Sequence, residues 1–449
     1  MKRSSWVRVS LLALVAMVVA VPAASAKKKE KVDVCKHGCD YRTIQDAVDA
    51  TGKNAVINVR PGKYKEGVRI VGKKHNGVTI QGTGKNPKKV ILEGKNAKDP
   101  EGQPANNGIE ADGVNGVRVL NLWARNYLAN GIFIHGDSVS GKACNDYLMK
   151  NLRVSFNRAY GLFSFNCIGG RMTKSVGYGH GDSAFYVGET PAQTKPKWTK
   201  LDHLDGYENV LGYSGTNSKY VKITQSNFYN NGAGVVPNTL DSERFEPTAT
   251  GIIENNNIFW NNFNYFLPNS SVKTVSNGLG EIGGLTINFP TGVGIVLLGA
   301  DGWIIQNNAI FGNFKAGAWS ISDPFNEGDN AISKNNQFLN NAMGRGGADT
   351  NAVDFFSDGS GSGNCYSGNV SSTFDPGSAP DSNLYPGCPA PPPPASGTGT
   401  SAGDGTQVGD LIGYVAANPP ETQQCAWTEH AHPAFENFQP LSVTPGPTC

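Results

Sequence analysis

Apolar and polar positions along this chain alternate in short runs, and asparagine breaks the runs. Ile-Ile-Glu-Asn-Asn-Asn-Ile-Phe-Trp-Asn spans Ile252 to Asn261, and Ile-Ile-Gln-Asn-Asn-Ala-Ile-Phe-Gly-Asn spans Ile304 to Asn313. A third copy runs from Ile332 to Asn341. Aligned end to end, the copies put Asn256, Asn308 and Asn336 in one column and Asn261, Asn313 and Asn341 in a second. Looser copies end at Asn126, Asn157 and Asn231. Successive turn asparagines lie 31 (126 to 157), 30 (231 to 261) and 28 (313 to 341) residues apart. Alternation of period two predicts strands, and a repeat of this length predicts a solenoid whose units bury their inner faces by stacking. Asparagine suits the turns, because it tolerates positive φ and its amide can bond the next amide along the stack.

After each asparagine turn a second strand is predicted: Gly131–His135, Gly161–Phe165, Ser183–Val187, Gly234–Val236 and Gly317–Ile321. Insertions follow these strands at 136–145, 166–170, 188–219, 237–250, 268–291 and 323–330. Loops at one phase of a stacked repeat emerge on one side, so these should flank a single surface.

Ahead of the repeats, Ile44, Ala47 and Val48 have helical spacing, with Thr43 placed to cap and Gly52 to stop the helix. Strands are predicted at 55–59, 67–71, 78–81 and 90–92, and the helix would close the open end of the solenoid. Thr43-Ile-Gln-Asp-Ala-Val48, Ile57-Asn-Val-Arg-Pro-Gly-Lys-Tyr64 and Val78-Thr-Ile-Gln-Gly82 resemble the opening of pectin methylesterases and other proteins of the pectin-lyase-like class. The resemblance covers about 50 residues and implies an all-β, right-handed parallel β-helix. The methylesterase catalytic signature, Gln-Asp-Thr followed by Asp-Phe-Ile-Phe-Gly, has no counterpart, so that activity is not implied.

Composition adds compartment and domain limits. Lys2, Arg3 and Arg8, the apolar run Leu11–Val21 and Ala24-Ser25-Ala26 read as a signal peptide cleaved after Ala26, too short to span a membrane. Three of the 39 basic residues lie in it, leaving 36 against 37 acidic residues. A chain so nearly neutral has no global field for nucleic acid or anionic lipid. The expected product is secreted and monomeric, with no membrane span. Eight cysteines in an exported chain suggest disulfides. Cys144 and Cys167 fall one repeat apart and should join neighbouring coils. Cys35–Cys39 is expected as a small disulfide loop rather than half a metal site, with Cys365–Cys388 and Cys425–Cys449 as the remaining pairs. The expected organisation is signal peptide 1–26, basic leader 27–40, β-helix 41–370, Pro/Gly/Ser-rich linker 371–409 and tail 410–449.

No strong catalytic signature is present, so chemistry must come from ionisable groups in the insertions. Gly179-His180-Gly181 is similar to the Gly-His-Gly motif of polygalacturonases, which implies His180 as a candidate; Asp182 adjoins it. The same stretch loosely resembles the Asp-Pro-His-Asp motif of mannuronan epimerases and alginate lyases. If Ser175 aligns with Ser226, however, His180 falls in the turn column with Asn231. Asp202, His203 and Asp205 form a second cluster, and Asp241, Glu243 and Arg244 a third. Tyr186, Trp198 and Tyr207 are candidates for stacking on sugar rings. Paired carboxylates suit glycoside hydrolysis, while β-elimination or epimerisation needs a base and a group to neutralise a uronate carboxylate. The expected partner is an extracellular polysaccharide, with calcium a possible cofactor. A non-catalytic matrix protein that binds or displays glycans is the alternative.

Overall fold

The structure, a computed structural model, describes residues 30–390 except 264, 266–269, 271, 273–288, 290, 325, 348, 371–373 and 376–384. The expected signal peptide, most of the expected linker, the expected tail and the expected Cys425–Cys449 pair lie outside the described residues. The chain is a right-handed parallel β-helix. Every strand pairing is parallel, in an 11-stranded sheet (sheet I) and a 20-stranded sheet (sheet II). Sheet II covers two of the three faces. In one coil Cys144–Lys150 and Arg153–Ser155 are separate strands, yet both pair with the continuous strand Cys167–Tyr178 of the next.

The corners explain the asparagines. One corner holds positive φ at Asn121, Asn151, Lys174, His203, Gln225, Asn255, Asn307 and Asn340, all between 48° and 58°. A second holds it at Asn126, Phe156, Glu208, Asn230 and Trp260. A left-handed conformation disfavours most side chains but is tolerated by asparagine. The neighbouring asparagines point inward and ladder along the axis. Asn157, His180, Asn209, Asn231, Asn261, Asn313 and Asn351 form one such ladder. In it each backbone N–H donates to the side chain one coil on, at 3.0–3.3 Å. Such buried amides satisfy backbone groups that the turns would otherwise orphan.

The first two phrases stack as predicted, Ile252 opposite Ile304. The third does not. Ile304 lies opposite Gln337, so Asn308 stacks on Asn341 rather than Asn336, and Asn313 on Asn351. The 74-residue gap between Asn157 and Asn231 holds two further coils, marked by His180 and Asn209. Consequently about half of the expected insertion 188–219 is strand, at Thr199–Tyr207 and Leu211–Thr216.

At the front end the helix spans Ile44–Ala50, Thr43 Oγ1 accepts from Asp46 N (3.1 Å), and Ile44, Ala47 and Val48 are buried. The basic leader is more ordered than expected, since Lys31–Val34 pairs with Val56–Val59. Disulfides join Cys35–Cys39, Cys144–Cys167 and Cys365–Cys388. Cys144 is directly opposite Cys167 in the next coil. Among the described residues no helix is long and apolar enough to cross a membrane.

Candidate functional site

The outward face of sheet I changes character along the axis. One row runs Arg69, Glu110, Phe133, Phe163, Tyr186, Ser214, Val236, Val296, Trp319 and Phe356. From Val236 onward it is apolar and buried against Phe263, Tyr265, Val272 and Phe289. Toward the N-terminus it stays partly open and carries aromatic rings flanked by acids. Phe133 and Phe163 stack at 4.3 Å, and Tyr160 and Tyr186 lie within 5 Å of Phe163. Gly188 makes room for the Tyr186 ring, because a Cβ there would come within 2.4 Å of Cε1.

Four groups meet beside this aromatic floor. The half-buried Tyr160 lies beside Asp182, and the buried Tyr186 lies beside Thr216. Burial pushes the Asp182 carboxyl up to about 7, against the opposing pull of its polar neighbours Tyr160 and Ser183. Burial also raises Glu243 to about 7, helped by the negative charges of Glu189 and Asp182. Both tyrosines are raised by burial and then by these carboxylates. Two carboxyls that resist ionising beside each other are poised to exchange protons near neutral pH. Glu243 Oε2 is buried without a hydrogen-bond partner.

The wall of the cleft comes from two loops after sheet I strands. Arg244 grips Glu189 from Nε (2.9 Å) and Nη2 (2.6 Å), while its backbone N–H donates to Glu189 Oε1 (3.1 Å). Glu189 has φ 46°, in register with Asn166 and Asn217. Asn217 Nδ2 donates to the carbonyls of Leu240, Glu243 and Arg244. Loop 136–143 approaches from the preceding coils, where a Cβ on Gly141 would lie 3.2 Å from Arg244 Nη1. Further along the face, His135 Nε2 contacts Glu110 Oε1 at 3.4 Å and its ring stacks on Phe133 at 4.3 Å. The bond from His135 holds Glu110 below its usual range.

The predicted candidates divide accordingly. Asp182, Tyr186, Glu243 and Arg244 come together. His180 does not join them: it is fully buried in the asparagine ladder, its Nδ1 accepting from Asn157 N at 3.3 Å. Burial drives its imidazole down to about 3. Asp202, His203, Asp205 and Tyr207 lie in the sheet II strand Thr199–Tyr207, not in a loop. Asp202 is engaged by Arg171 (2.7 and 2.9 Å), Thr173 (2.6 Å) and His203 (3.0 Å). Asp205 is buried with Asn227 on one oxygen, which leaves its carboxyl raised to about 7. Tyr207 is sealed in a stack between Tyr178 and Tyr229. Half-buried Trp198 packs edge-on to Tyr220 at the start of the same strand. Asp241 is exposed, its backbone N–H donating to Asn326 Oδ1. Tyr160, Glu189, Glu110 and His135 were missed. The alternation within the predicted strand Gly131–His135 already placed Phe133 and His135 on one face. Among the described residues no group of three or more His, Cys, Asp or Glu side chains could hold a metal ion.

Solved structures with the same coil architecture define the class: the fold is that of pectin-lyase-like parallel β-helix proteins. The A-module of Azotobacter vinelandii mannuronan C-5 epimerase AlgE4 superposes with a TM-score of 0.53 and 14% identity, over 74% of this chain and 83% of that one. The AlgE6 A-module of the same organism gives 0.53 and 14%, over 73% and 81%. A rhamnogalacturonan lyase gives 0.44 and 11%, over 70% and 82%. No protein-family model matches the sequence, and no curated protein sequence matches it.

Proposed function

We propose that this is a secreted carbohydrate-active enzyme that cleaves an extracellular polysaccharide by proton transfer in the sheet I cleft. The observation that carries the proposal is the pair Asp182 and Glu243, two carboxyls raised to about 7 beside an aromatic floor. Phe133 and Phe163 would stack on sugar rings. Tyr160, beside Asp182, would exchange a proton with the sugar chain. Glu243 would serve as the second acid–base group. Arg244, held by Glu189 with its side chain 48% exposed, would face a uronate carboxylate. The disulfides support an oxidising destination, and the folds of the epimerase A-modules are compatible with a polysaccharide ligand.

The test is to incubate the protein with polyuronides and neutral glucans while following reducing ends and the ultraviolet absorbance of unsaturated uronides. Product should appear, and Tyr160→Phe and Asp182→Asn should each slow turnover by about a hundredfold or more. New reducing ends without ultraviolet absorbance identify hydrolysis; both together identify elimination. Retained glycan binding with no product on any polymer would replace this proposal with the non-catalytic alternative.

A further inference from the structure

Sheet II carries a feature that the cleft does not use. Strand register puts Arg118, Leu148, Arg171, Lys200 and Lys222 in one outward row across five successive coils. Lys150 stands in the adjacent row beside Thr173. Arg118, Lys150, Arg171 and Lys200 are exposed. Three carboxylates lie on the same stretch, and each has a cation: Asp146 on Lys197, Asp202 on Arg171 and Glu254 on Lys222. Among the described residues Arg118, Lys150 and Lys200 form no ion pair. A chain whose total charge nearly cancels therefore carries three uncompensated cations on one face, Arg118, Lys150 and Lys200, spread over four successive coils whose strands lie about 4.8 Å apart.

We infer that this row is a second polysaccharide site, which binds an acidic chain lengthwise without acting on it. A polyuronide carries one carboxylate per sugar and so presents charge at regular short intervals. A rigid face with a cation on each of five coils, three of them free of ion pairs, can meet such a chain at several points, whereas a neutral glucan offers it nothing. The site lies on a different sheet from the cleft, so a polymer held here stays near the cleft without occupying it. Exposed pairs are individually weak, so binding arises from several together and is screened by salt.

The inference can be tested apart from the proposed activity by working in Tyr160→Phe protein, so that little polymer is consumed during the measurement. Retention on immobilised polygalacturonate and alginate is compared with a neutral β-glucan at low and high salt. The triple variant Arg118→Gln/Lys150→Gln/Lys200→Gln, checked for an unchanged melting curve, should bind the acidic polymers roughly tenfold more weakly. With Tyr160 intact, the triple variant should turn over a short oligosaccharide at the parent rate. Unchanged retention in the triple variant, or equal binding of the neutral glucan, overturns the inference. Equal binding of duplex DNA through the same three residues overturns the assignment to uronides. If no polysaccharide is ever turned over, the activity proposal fails while this site stands or falls on retention alone.

Discussion

Two buried ionisable residues, His180 and Asp205, link stability to pH. The His180 imidazole is depressed to about 3 in the folded chain, against about 6.5 when unfolded. Its contribution is therefore fully present above pH 6.5 and is lost as the pH falls toward 3. By pH 5 that loss is about 2 kcal/mol. His180→Asn restores the residue that the rest of the ladder uses. It should melt higher than the parent at pH 5, match it near pH 7.5 and leave turnover unchanged; loss of activity with an intact fold would return His180 to the site. Asp205 runs in the opposite sense. Its carboxyl is raised to about 7, so its contribution is fully present below about pH 3.9 and is lost as the pH rises through 7. Asp205→Asn also extends the side-chain ladder of Asn227 and Asn257. Thermal unfolding at pH 8.5 should show it more stable by a few kcal/mol, with little change at pH 4.

The coil is the unit at the scale of elements, and its inward asparagines hold coils together. Asn313 Oδ1 accepts from both the backbone and the side chain of Asn261, at 3.1 and 3.2 Å. Asn313→Ala would leave a buried N–H unpaired, at a cost of about 1–3 kcal/mol, measurable as a lower denaturant midpoint with an unchanged slope. Strands, capping helix and the Cys144–Cys167 bridge were legible because each rests on local periodicity or on a one-coil spacing. Register was less legible, because asparagine does two jobs at adjacent positions. Asn255 has the positive φ of a corner while Asn256 points inward to the ladder. The doublets Asn335-Asn336 and Asn340-Asn341 therefore look alike, and the third phrase slipped by five residues. The site was half legible for a related reason. Charge alone made Asp202–Glu208 resemble a loop, yet the strand's partner Arg171 lies 31 residues away, beyond any local pattern.

At the scale of the described molecule, loops that follow sheet I strands build a wall on one side of that sheet while the ladders hold the spacing behind it. Loops 136–143 and 239–248 are separated by a hundred residues of sequence and still meet at Arg244, because each leaves its coil at the same corner. Arg244→Ala should weaken binding of an acidic substrate more than of a neutral one, read as a rise in KM larger than the fall in kcat. The inward ladder has a further, mechanical consequence. Its members are 23, 29, 22, 30, 52 and 38 residues apart, so coils of nearly equal thickness store very different lengths of chain. Stretched between its ends, the solenoid should yield one coil at a time. A 22-residue coil would release roughly 75 Å of slack and the 52-residue one roughly 180 Å. A force–extension trace would then carry unequal teeth, in which the order of the coils is written as length.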